Sequence, residues 1–411
     1  MKSKLLALFG SALLSGTAMA GGYQVNLASQ RQIGMGHTGT GIETGTSSIF
    51  FNPGAMSFIR QNGITIGASA LSSKIAYKPS ESNITTEADN GISTPFHVYG
   101  AYKVDDLLTV GLGVYTPFGS GVNWGTEWNG RFGLNEIDLK AIFFQPTVSY
   151  KVSDKLGLGV GFVVATGAVN LQRVLPVQNA QGAEGGIELD GGAKTGFGVN
   201  VGAFFQATEK FSIGIDYRSK IELEVEGGDV LFTNVPAAAR GNFPEGTEFS
   251  AMLPLPATLS LGLGYKVNEQ LTLAADVSHV GWSAYESLRF NFTQPVGGSN
   301  VSESARNYDD AFIYRIGAEY QLNDKLALRA GAYYDQTPVQ DGYLTPETPD
   351  ADSRGISGGI GYAFSDKFSV DASFLYINKK ERTDTAEFSR GVSGTFKSVA
   401  YIPGLALNYN F

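Results

Sequence analysis

The chain has 411 residues, of which 43% are hydrophobic, 17% charged and 12% aromatic, and 53 are glycine. Its 30 basic and 39 acidic residues give a net charge of −9, which argues against a nucleic-acid partner because such proteins present a basic face. The absence of cysteine excludes disulfides and thiolate metal or redox sites. Low charge combined with abundant glycine and aromatic residues favours a β-rich protein and is compatible with a membrane location.

Residues 1–20 have the pattern of a secretory signal peptide. Two lysines precede a short apolar core at residues 5–14, and Ala18 and Ala20 supply the small residues of a cleavage site. The apolar core is too short for a retained transmembrane helix. We therefore expect the mature chain to begin at Gly21 and to cross the inner membrane.

Apolar side chains alternate with small or polar ones in many segments after the signal peptide. Examples are residues 108–115, 142–149, 211–218, 271–278, 326–335 and 368–376. A period of two residues is typical of β-strands. The charge-free run 156–172 is nearly long enough for a transmembrane helix, but glycine at every second position from Gly157 to Gly161 penalises a helix and indicates a strand.

A short turn pattern recurs along the chain, as in Tyr150-Lys-Val-Ser-Asp-Lys-Leu. Six such polar turns alternate with seven longer stretches. The longer stretches are 78–92, 118–135, 172–190, 228–253, 284–308, 337–352 and 381–393. Six turns and seven loops join fourteen strands, and short turns on one rim with long loops on the other are typical of outer-membrane barrels. Closure of such a barrel satisfies every backbone polar group in lipid and leaves no edge.

The sequence therefore predicts an all-β fold, a 14-stranded antiparallel transmembrane β-barrel formed by residues 61–411. The alternating C-terminal residues Leu405, Leu407, Tyr409 and Phe411 agree, because a terminal aromatic residue is the signal that such barrels present to the barrel-assembly machinery. We expect the protein in the outer membrane of a Gram-negative bacterium, in contact with outer-membrane lipid and lipopolysaccharide.

Residues 21–60 do not alternate, and they contain several glycines and the apolar residues around Phe51. Fourteen strands leave a wide lumen unless something fills it. We interpret residues 21–60 as a plug, or hatch, that is folded inside the lumen. The alternative is a flexible periplasmic tail, against which the apolar residues argue.

Several motifs carry a family resemblance. They are Gly22-Tyr23-Gln24, Phe51-Asn52-Pro53-Gly54-Ala55-Met56, Tyr115-Thr116-Pro117-Phe118-Gly119, Trp128-Asn129-Gly130-Arg131-Phe132 and Lys325-Leu326-Ala327-Leu328-Arg329-Ala330-Gly331. With these motifs the chain resembles the FadL/TodX-type outer-membrane transporters of long-chain fatty acids and aromatic hydrocarbons. The family usually has Asn-Pro-Ala where this chain has Asn-Pro-Gly, and glycine permits other backbone angles.

The resemblance implies a hatch motif at Phe51, Asn52, Pro53, Gly54 and Ala55, capture of hydrophobic molecules at the outer surface and their lateral release through a gap in the wall. That route is physically reasonable because each buried CH₂ of a fatty acid gains about 0.8 kcal/mol. A water-filled pore would therefore be a poor path for it.

The predicted ligand-binding residues are mostly aromatic. They are Phe118, Trp124, Trp128 and Phe132 in the loop 118–135, and Tyr23. Exposed aromatic clusters often mark binding grooves, although the same rings could pack the loop or form the interfacial girdle. Tyr23 corresponds to an aromatic residue that meets ligand in the family, and it could equally anchor the plug.

A carboxylate substrate would need cations in the lumen, and the alternation places Arg315 and Arg329 inward. Either could bind a carboxylate with two hydrogen bonds. They could instead pair with lumen acids such as Glu319 or Asp371, or with the plug. If every lumen cation is paired in this way, a neutral hydrocarbon becomes the better substrate.

Lateral release requires a kink in one wall strand. Glycine and proline within a strand often mark a bulge or bend. The candidates are Gly111, Gly113, Pro117 and Gly119.

No catalytic or metal site is predicted. His37, His97 and His279 are far apart, and the Gly34–Gly39 stretch fits a dinucleotide motif only in its letters, without a strand–helix unit around it. We expect a protein that is not an enzyme and has no cofactor. A general porin or a surface-binding barrel remain alternatives to the transporter.

Overall fold

The computed structural model describes residues 21–411, so the predicted signal peptide, residues 1–20, lies outside the described range. The helices are α1 (Gln30–Gly34), α2 (Ser48–Phe51) and four 3-10 turns, Gly45–Ser47, Pro53–Phe58, Ala237–Asn242 and Trp282–Ala284. None of the helices in this range is long and apolar enough to cross a bilayer.

All remaining regular structure is β-strand. The strands are β1 (Gly63–Ser69), β2 (Ser72–Pro79), β3 (Thr86–Glu87), β4 (Phe96–Lys103), β5 (Leu108–Asn123), β6 (Glu136–Lys151), β7 (Leu156–Gln178), β8 (Glu184–Gln206), β9 (Phe211–Arg218), β10 (Ile221–Thr233), β11 (Glu248–Leu255), β12 (Thr258–Lys266), β13 (Leu271–Val280), β14 (Ser287–Val296), β15 (Ser299–Ala305), β16 (Ala311–Asn323), β17 (Leu326–Asp335), β18 (Ser353–Ala363), β19 (Phe368–Lys379), β20 (Arg382–Asp384) and β21 (Gly394–Asn410).

These strands form one antiparallel sheet that closes on itself. The last strand, β21, pairs with β19 on one side and with β1 on the other, so the wall has no edge. Five wall strands are interrupted once and consist of two consecutive elements, namely β1/β2, β9/β10, β11/β12, β13/β14 and β15/β16. Together with nine uninterrupted strands they make fourteen, which confirms the predicted 14-stranded antiparallel barrel.

The two faces of the wall differ as the alternation predicts. On β6, Phe144 and Val148 are exposed on the outside, whereas Gln145 and Ser149 are buried on the inside. The outside therefore offers an apolar surface to lipid and the inside a polar or small one.

Aromatic rings gather at both ends of the apolar band. At the short-turn end, Tyr362 packs against Phe364 and Phe364 against Phe368, with centroid distances of 4.9 and 5.6 Å. At the opposite end, Tyr376 and Tyr401 are paired across β19 and β21, with their rings 5.3 Å apart. These rings form the two girdles expected where a barrel crosses the membrane interfaces.

Two predicted loops are wrong. The stretch 172–190 is mostly strand, because β7 and β8 continue past the membrane and only residues 179–183 connect them. Buried inward side chains such as Leu175 and Ile187 stabilise this extension. The stretch 284–308 contains the hairpin of β14 and β15, turned by Gly297 and Gly298, whose positive φ values of 62° and 87° suit a two-residue turn.

Two other predicted loops are shorter than expected. β5 continues to Asn123, which leaves only part of 118–135 as loop, and strand residues also occupy both ends of 228–253.

The first forty described residues, 21–60, run against the inner face of the wall. Of these residues only Arg60 is exposed. Helix α1 contacts β17, β18 and β19, and the turn Pro53–Phe58 contacts β6, β7 and β8 on another side of the barrel. The segment thus touches strands that are widely separated around the circumference.

Inward-facing glycines allow this close approach. They include Gly159, Gly202, Gly214, Gly262, Gly317 and Gly331. On the segment's own side, a Cβ on Gly36 would lie 2.6 Å from the carbonyl oxygen of Ile316, and the φ of Gly36 is +67°. Glycine is required here both by space and by backbone conformation.

We expect Gly331→Val to displace residues 21–60 from the wall, because a Cβ at this position would overlap the backbone at Met35 and Gly36. Overpacking of this kind costs about 1–3 kcal/mol. The open probability of single channels in planar bilayers should therefore rise at least about fivefold.

The matched control is Gly358→Val on the neighbouring strand, where the nearest atom to a Cβ is 3.7 Å away. Both variants should show the heat-modifiable mobility of a folded barrel. Equal open probability in the two variants would contradict the expectation.

Candidate functional site

The first described residues pair with strand β5. The backbone N–H of Val25 donates to the carbonyl of Pro117 at 2.7 Å, and the N–H of Gly119 donates to the carbonyl of Tyr23 at 3.0 Å. The N–H of Gly21 donates to the carboxylate of Asp335 at 3.0 Å. Residues 23–25 therefore lie beside β5, with a β-bridge between Gln24 and Phe118, and Gly21 is held at the end of β17.

At the same point β5 separates from β4. The last ladder pair between β4 and β5 is His97 with Tyr115. The register between β5 and β6 shifts between Tyr115 and Phe118, the place of Pro117, which has no N–H to donate. Over Pro117 to Gly119, the partner of β5 on the β4 side is thus the N-terminal segment and not a wall strand.

The predicted kink is therefore wrong at Gly111 and Gly113, which lie in regular ladders with both β4 and β6. Glycine is needed at these two positions for a steric reason. A Cβ on Gly111 or Gly113 would come 2.8 or 3.0 Å from side-chain atoms of Ile49, so these positions make room for the N-terminal segment. Pro117 lies in the register shift, and Gly119 follows it.

Tyr23 is buried in a nest of aromatic rings. Its ring meets Trp282 edge-on at 4.8 Å and Tyr285 at 5.5 Å, and it lies 6.1 Å from Phe118. Its hydroxyl donates to the carbonyl of Pro254. Burial raises the pKa of Tyr23 well above its ordinary value, so the hydroxyl stays a neutral donor.

Tyr23 also borders an apolar cavity inside the outer half of the barrel. Aliphatic side chains from β6, β7, β8, β10, β11 and β14 form most of its lining. They include Ile137, Leu139, Val169, Leu171, Leu223, Val225, Leu253 and Leu288. Such a lining suits an alkyl chain or an aromatic hydrocarbon.

Three charged residues interrupt this apolar lining, namely Lys140, which pairs with Asp138, and the neighbours Arg306 and Glu347. Arg306 is only 1% exposed, and its guanidinium donates to the hydroxyl of Ser304 at 2.8 Å. Its Nη2 lies 3.5 Å from one carboxylate oxygen of Glu347, a loose ion pair. The other oxygen of Glu347 is buried and accepts no hydrogen bond from the described residues. The site therefore holds a cation whose donors are not fully used.

A second pocket lies next to the cavity and shares Arg306 and Glu347 with it. It adds Phe132, Arg173 and Arg390. Three arginines against one glutamate give this pocket a net positive charge. It is thus suited to attract an anionic head group toward the apolar cavity.

The predicted aromatic residues do not form one cluster. Phe118 contacts Tyr23, and Phe132 lies in the second pocket beneath the guanidinium of Arg131, 4.6 Å from the ring centroid. Trp124 and Trp128 line neither of these two pockets. They stack on each other at 4.8 Å, and both indole N–H groups donate to loop carbonyls. The tryptophans therefore pack the loop.

The predicted arginines are engaged elsewhere. Arg315 donates to the hydroxyl of Ser278 at 2.8 Å and to the side chain of Asn26 at 3.3 Å. Arg329 pairs with Glu319 at 2.6 Å and with Asp371 at 2.5 Å. Neither arginine lines the apolar cavity. Of the two explanations given from sequence, internal pairing is the one that the contacts favour.

The motif Phe51 to Ala55 ties the N-terminal segment to the wall. The side-chain amide of Asn52 donates to the carbonyls of Thr40 and Ala203 at 2.9 and 3.0 Å, and its oxygen accepts from the N–H of Gly54. A Cβ on Gly54 would lie 2.7 Å from the carbonyl oxygen of Gly157. This close contact explains why the chain has glycine there, and no positive φ is involved.

Sequence reasoning missed Arg306, Glu347 and Arg173. Arg306 and Glu347 lie in stretches that were interpreted as outer loops, and Arg173 at the end of β7 was hidden by the wrong loop at 172–190. The signal that could have found Arg173 is the apolar alternation that continues through Leu171 and Leu175.

These features agree with a match to one protein family. A family model described as an outer membrane protein transport protein (OMPP1/FadL/TodX) matches residues 11–411. The chain belongs to this family. Like the family, it is an outer-membrane transport protein, as the resemblance in the sequence implied.

Individual relatives are distant but cover nearly the whole chain. The chain is 27% identical over 431 residues to a 47 kDa outer membrane protein of Pasteurella multocida, which covers 97% of this chain and 96% of that protein. It is 22% identical over 394 residues to the long-chain fatty acid transport protein of Salmonella typhi, with 89% of each covered. A crystal structure of a Pseudomonas aeruginosa FadL homologue shares the FadL-type fold, with a TM-score of 0.83 at 21% identity over 95% of this chain and 100% of that one.

An ion-pair network fixes α1 to the wall at β16 and β17. Arg31 donates to both carboxylate oxygens of Glu319 at 2.8 and 3.0 Å, and Arg329 shares that carboxylate. We expect Glu319→Gln to approach the cost of about 3–5 kcal/mol for breaking a buried pair. Urea unfolding in detergent, followed by tryptophan fluorescence, measures the change in the free energy of unfolding.

The matched control is Glu184→Gln, which breaks another bidentate ion pair, the one with Arg131. The side chains of Glu184 and Arg131 are 31% and 29% exposed. That change should cost much less stability, because water and salt screen an exposed ion pair. A larger loss of stability for Glu184→Gln than for Glu319→Gln would refute the buried network's importance.

Proposed function

We propose that this protein takes up long-chain fatty acids from outside the cell and releases them sideways into the outer membrane. The observation that carries the proposal is the apolar cavity bordered by Tyr23, at the point where β5 leaves β4 and with Arg306 in its lining. The Salmonella typhi relative, named a long-chain fatty acid transport protein, supports the same substrate class.

Capture begins at the positively charged second pocket. Arg173 forms no ion pair within the described residues. The side chain of Arg390 donates there only to the hydroxyl of Ser302. Phe132 supplies an apolar surface beside these cations. An amphiphile with a carboxylate can therefore be held by its head while its chain reaches the apolar cavity.

In the cavity the alkyl chain replaces water against aliphatic walls, a gain of about 0.8 kcal/mol per CH₂. The carboxylate takes up the unused donors of Arg306. Because Tyr23 borders the same space, a chain that fills the cavity competes with the Tyr23 ring. Its displacement would withdraw residues 21–25 from β5.

Withdrawal of residues 21–25 opens the wall. Over Pro117 to Gly119 these residues are the only backbone partner of β5 on the β4 side within the described chain. A gap at this place leads directly into lipid. Residues 21–60 meanwhile act as a hatch that blocks the straight path to the periplasm, a role supported by their contacts around the circumference and unsuited to a general porin.

A second candidate substrate class is neutral aromatic hydrocarbons. One observation favours it, since Glu347 lies 3.5 Å from Arg306 and already balances its charge. Arg315 and Arg329 are engaged as well. A hydrocarbon would need only the apolar lining.

The double variant Arg306→Gln/Glu347→Gln separates the two substrate classes without leaving one buried charge unpaired. We expect it to weaken oleate binding to detergent-purified protein about tenfold or more, the cost of losing a hydrogen bond to a charged group. Toluene binding should not change. Fluorescent fatty-acid displacement and calorimetry measure both ligands.

The control is Arg131→Gln/Glu184→Gln, which removes a similar pair outside the cavity. If the wild-type protein binds toluene and not oleate, the aromatic alternative replaces fatty acids. If it binds neither ligand, and a growth test on oleate or toluene shows no need for the protein, a surface-binding role replaces transport.

Gating by residues 21–25 can be tested by a cross-link, because the chain has no native cysteine. Gln24 and Phe118 are bridge partners, so cysteines at both positions have the spacing a disulfide needs. We expect the oxidised Gln24→Cys/Phe118→Cys protein to lose most oleate uptake in cells, and a reductant to restore it.

A disulfide between Val98→Cys and Val114→Cys, ladder partners in β4 and β5, should leave uptake unchanged. Normal uptake by the oxidised Gln24/Phe118 variant would overturn the gate while leaving the substrate proposal intact.

A further inference from the structure

Cations lie on the outside of three wall strands, β18, β21 and β2, and at Lys380 just after the end of β19 between them. Arg354 is exposed between buried neighbours on β18, and Lys74 is exposed between buried neighbours on β2. Cross-strand pairs connect Arg354 to Asn378, Asn378 to Val399, and Val399 to Lys74, so all four positions share one level. We define the outer basic patch as Lys74, Lys78, Arg354, Lys380 and Lys397.

The patch lies just beyond the outer aromatic girdle. Lys74 and Arg354 are each one outward position past the level of Tyr376 and Tyr401. From Phe368 in the inner girdle to Tyr376, eight residues of β19 rise about 27 Å along the strand, or about 20 Å across a membrane at the usual tilt. The patch therefore lies at the head groups of the outer leaflet.

The patch cations lack acidic partners within the described chain. None of the five has a carboxylate within ion-pair distance there, and Lys397 donates to Asn378 and to a backbone carbonyl. Three lysines on other wall strands are each paired with a neighbouring acid. These pairs are Lys140 with Asp138, Lys194 with Glu226 and Lys220 with Glu222.

The local charge also contrasts with that of the whole protein. The nearest acids along these strands are Glu87, Asp352 and Glu381, and Asp352 already accepts from Tyr334 and Thr337. Five cations and three acids leave +2 in a protein whose net charge is −9. An anionic partner is thus expected at the patch itself.

Apolar side chains continue the same surface below the patch. Ile356 is 66% exposed one outward position below Arg354, and Phe374 is 48% exposed beneath Tyr376. A partner that suits this surface carries phosphate on its head and several acyl chains. Arginine and lysine both bind phosphate, arginine with two parallel hydrogen bonds.

We propose that the outer basic patch binds the phosphorylated sugar head of lipopolysaccharide in the outer leaflet, with the acyl chains lying on Ile356, Phe374 and the Tyr376–Tyr401 pair. This inference does not depend on the substrate or the gate. It assigns a lipid-binding role to one side of the barrel, formed by β18, β19, β21 and β2.

The test uses the full mature protein in detergent and counts bound lipid by native mass spectrometry during titration with purified lipopolysaccharide. We expect Lys74→Gln/Arg354→Gln/Lys397→Gln to weaken binding at least about tenfold, since each cation near the head groups contributes about fivefold. Lipopolysaccharide stripped of its phosphates should bind the wild type as weakly as intact lipid binds the variant.

The matched control is Lys140→Gln/Lys194→Gln/Lys220→Gln, which removes three lysines that have acidic partners and should keep wild-type binding. The charge-preserving change Lys74→Arg/Lys397→Arg should keep it as well. Heat-modifiable mobility verifies folding, and Arg354→Gln alone replaces the triple variant if that one fails to assemble. Equal binding by patch and control variants, or equal binding of phosphatidylglycerol, would overturn the proposal.

Discussion

The structure depends on the need to pair every backbone N–H and C=O group within lipid. The β21–β1 ladder meets this need by closing the wall. Closure fixes the alternation of each strand, since one face meets acyl chains and the other the lumen. It also makes any lateral opening costly, so a gap can exist only where another backbone segment supplies the missing partners. Residues 21–25 supply them at Pro117 to Gly119.

A closed cylinder of fourteen strands has more interior than its own side chains fill. Residues 21–60 lie against the inner face of the wall, and the wall has glycine where the backbone of that segment approaches, as at Gly317 and Gly331. The abundance of glycine, which from sequence indicates only β-structure, thus has a specific origin. Different interactions hold different parts of this segment. Ion pairs fix α1 to the wall, whereas Tyr23 is held by contacts with aromatic rings and by one hydrogen bond from its hydroxyl.

The sequence predicts the wall well because period-two alternation follows from the membrane itself. It predicts the site poorly because the site depends on which strands extend beyond the membrane. Outside lipid, nothing requires an outward apolar face, so β7 and β8 near Gln178 and Glu184 resemble loops in sequence. Arg173 was hidden for that reason. Trp124 and Trp128 were chosen for their size, yet size alone does not distinguish a ring that binds ligand from one that packs a loop.

Charge is distributed according to what faces it. Inside the barrel, Arg329 has two carboxylate partners, because a cation enclosed by protein is stabilised only by specific pairing. In the cavity, Arg306 has one loose partner, which leaves it able to meet a carboxylate. On the outside, Lys74 and Arg354 have no acidic partner in the described chain, and we propose that lipid phosphate takes that place. The degree of pairing therefore separates cations that stabilise the fold from cations that are available to bind a ligand or a lipid.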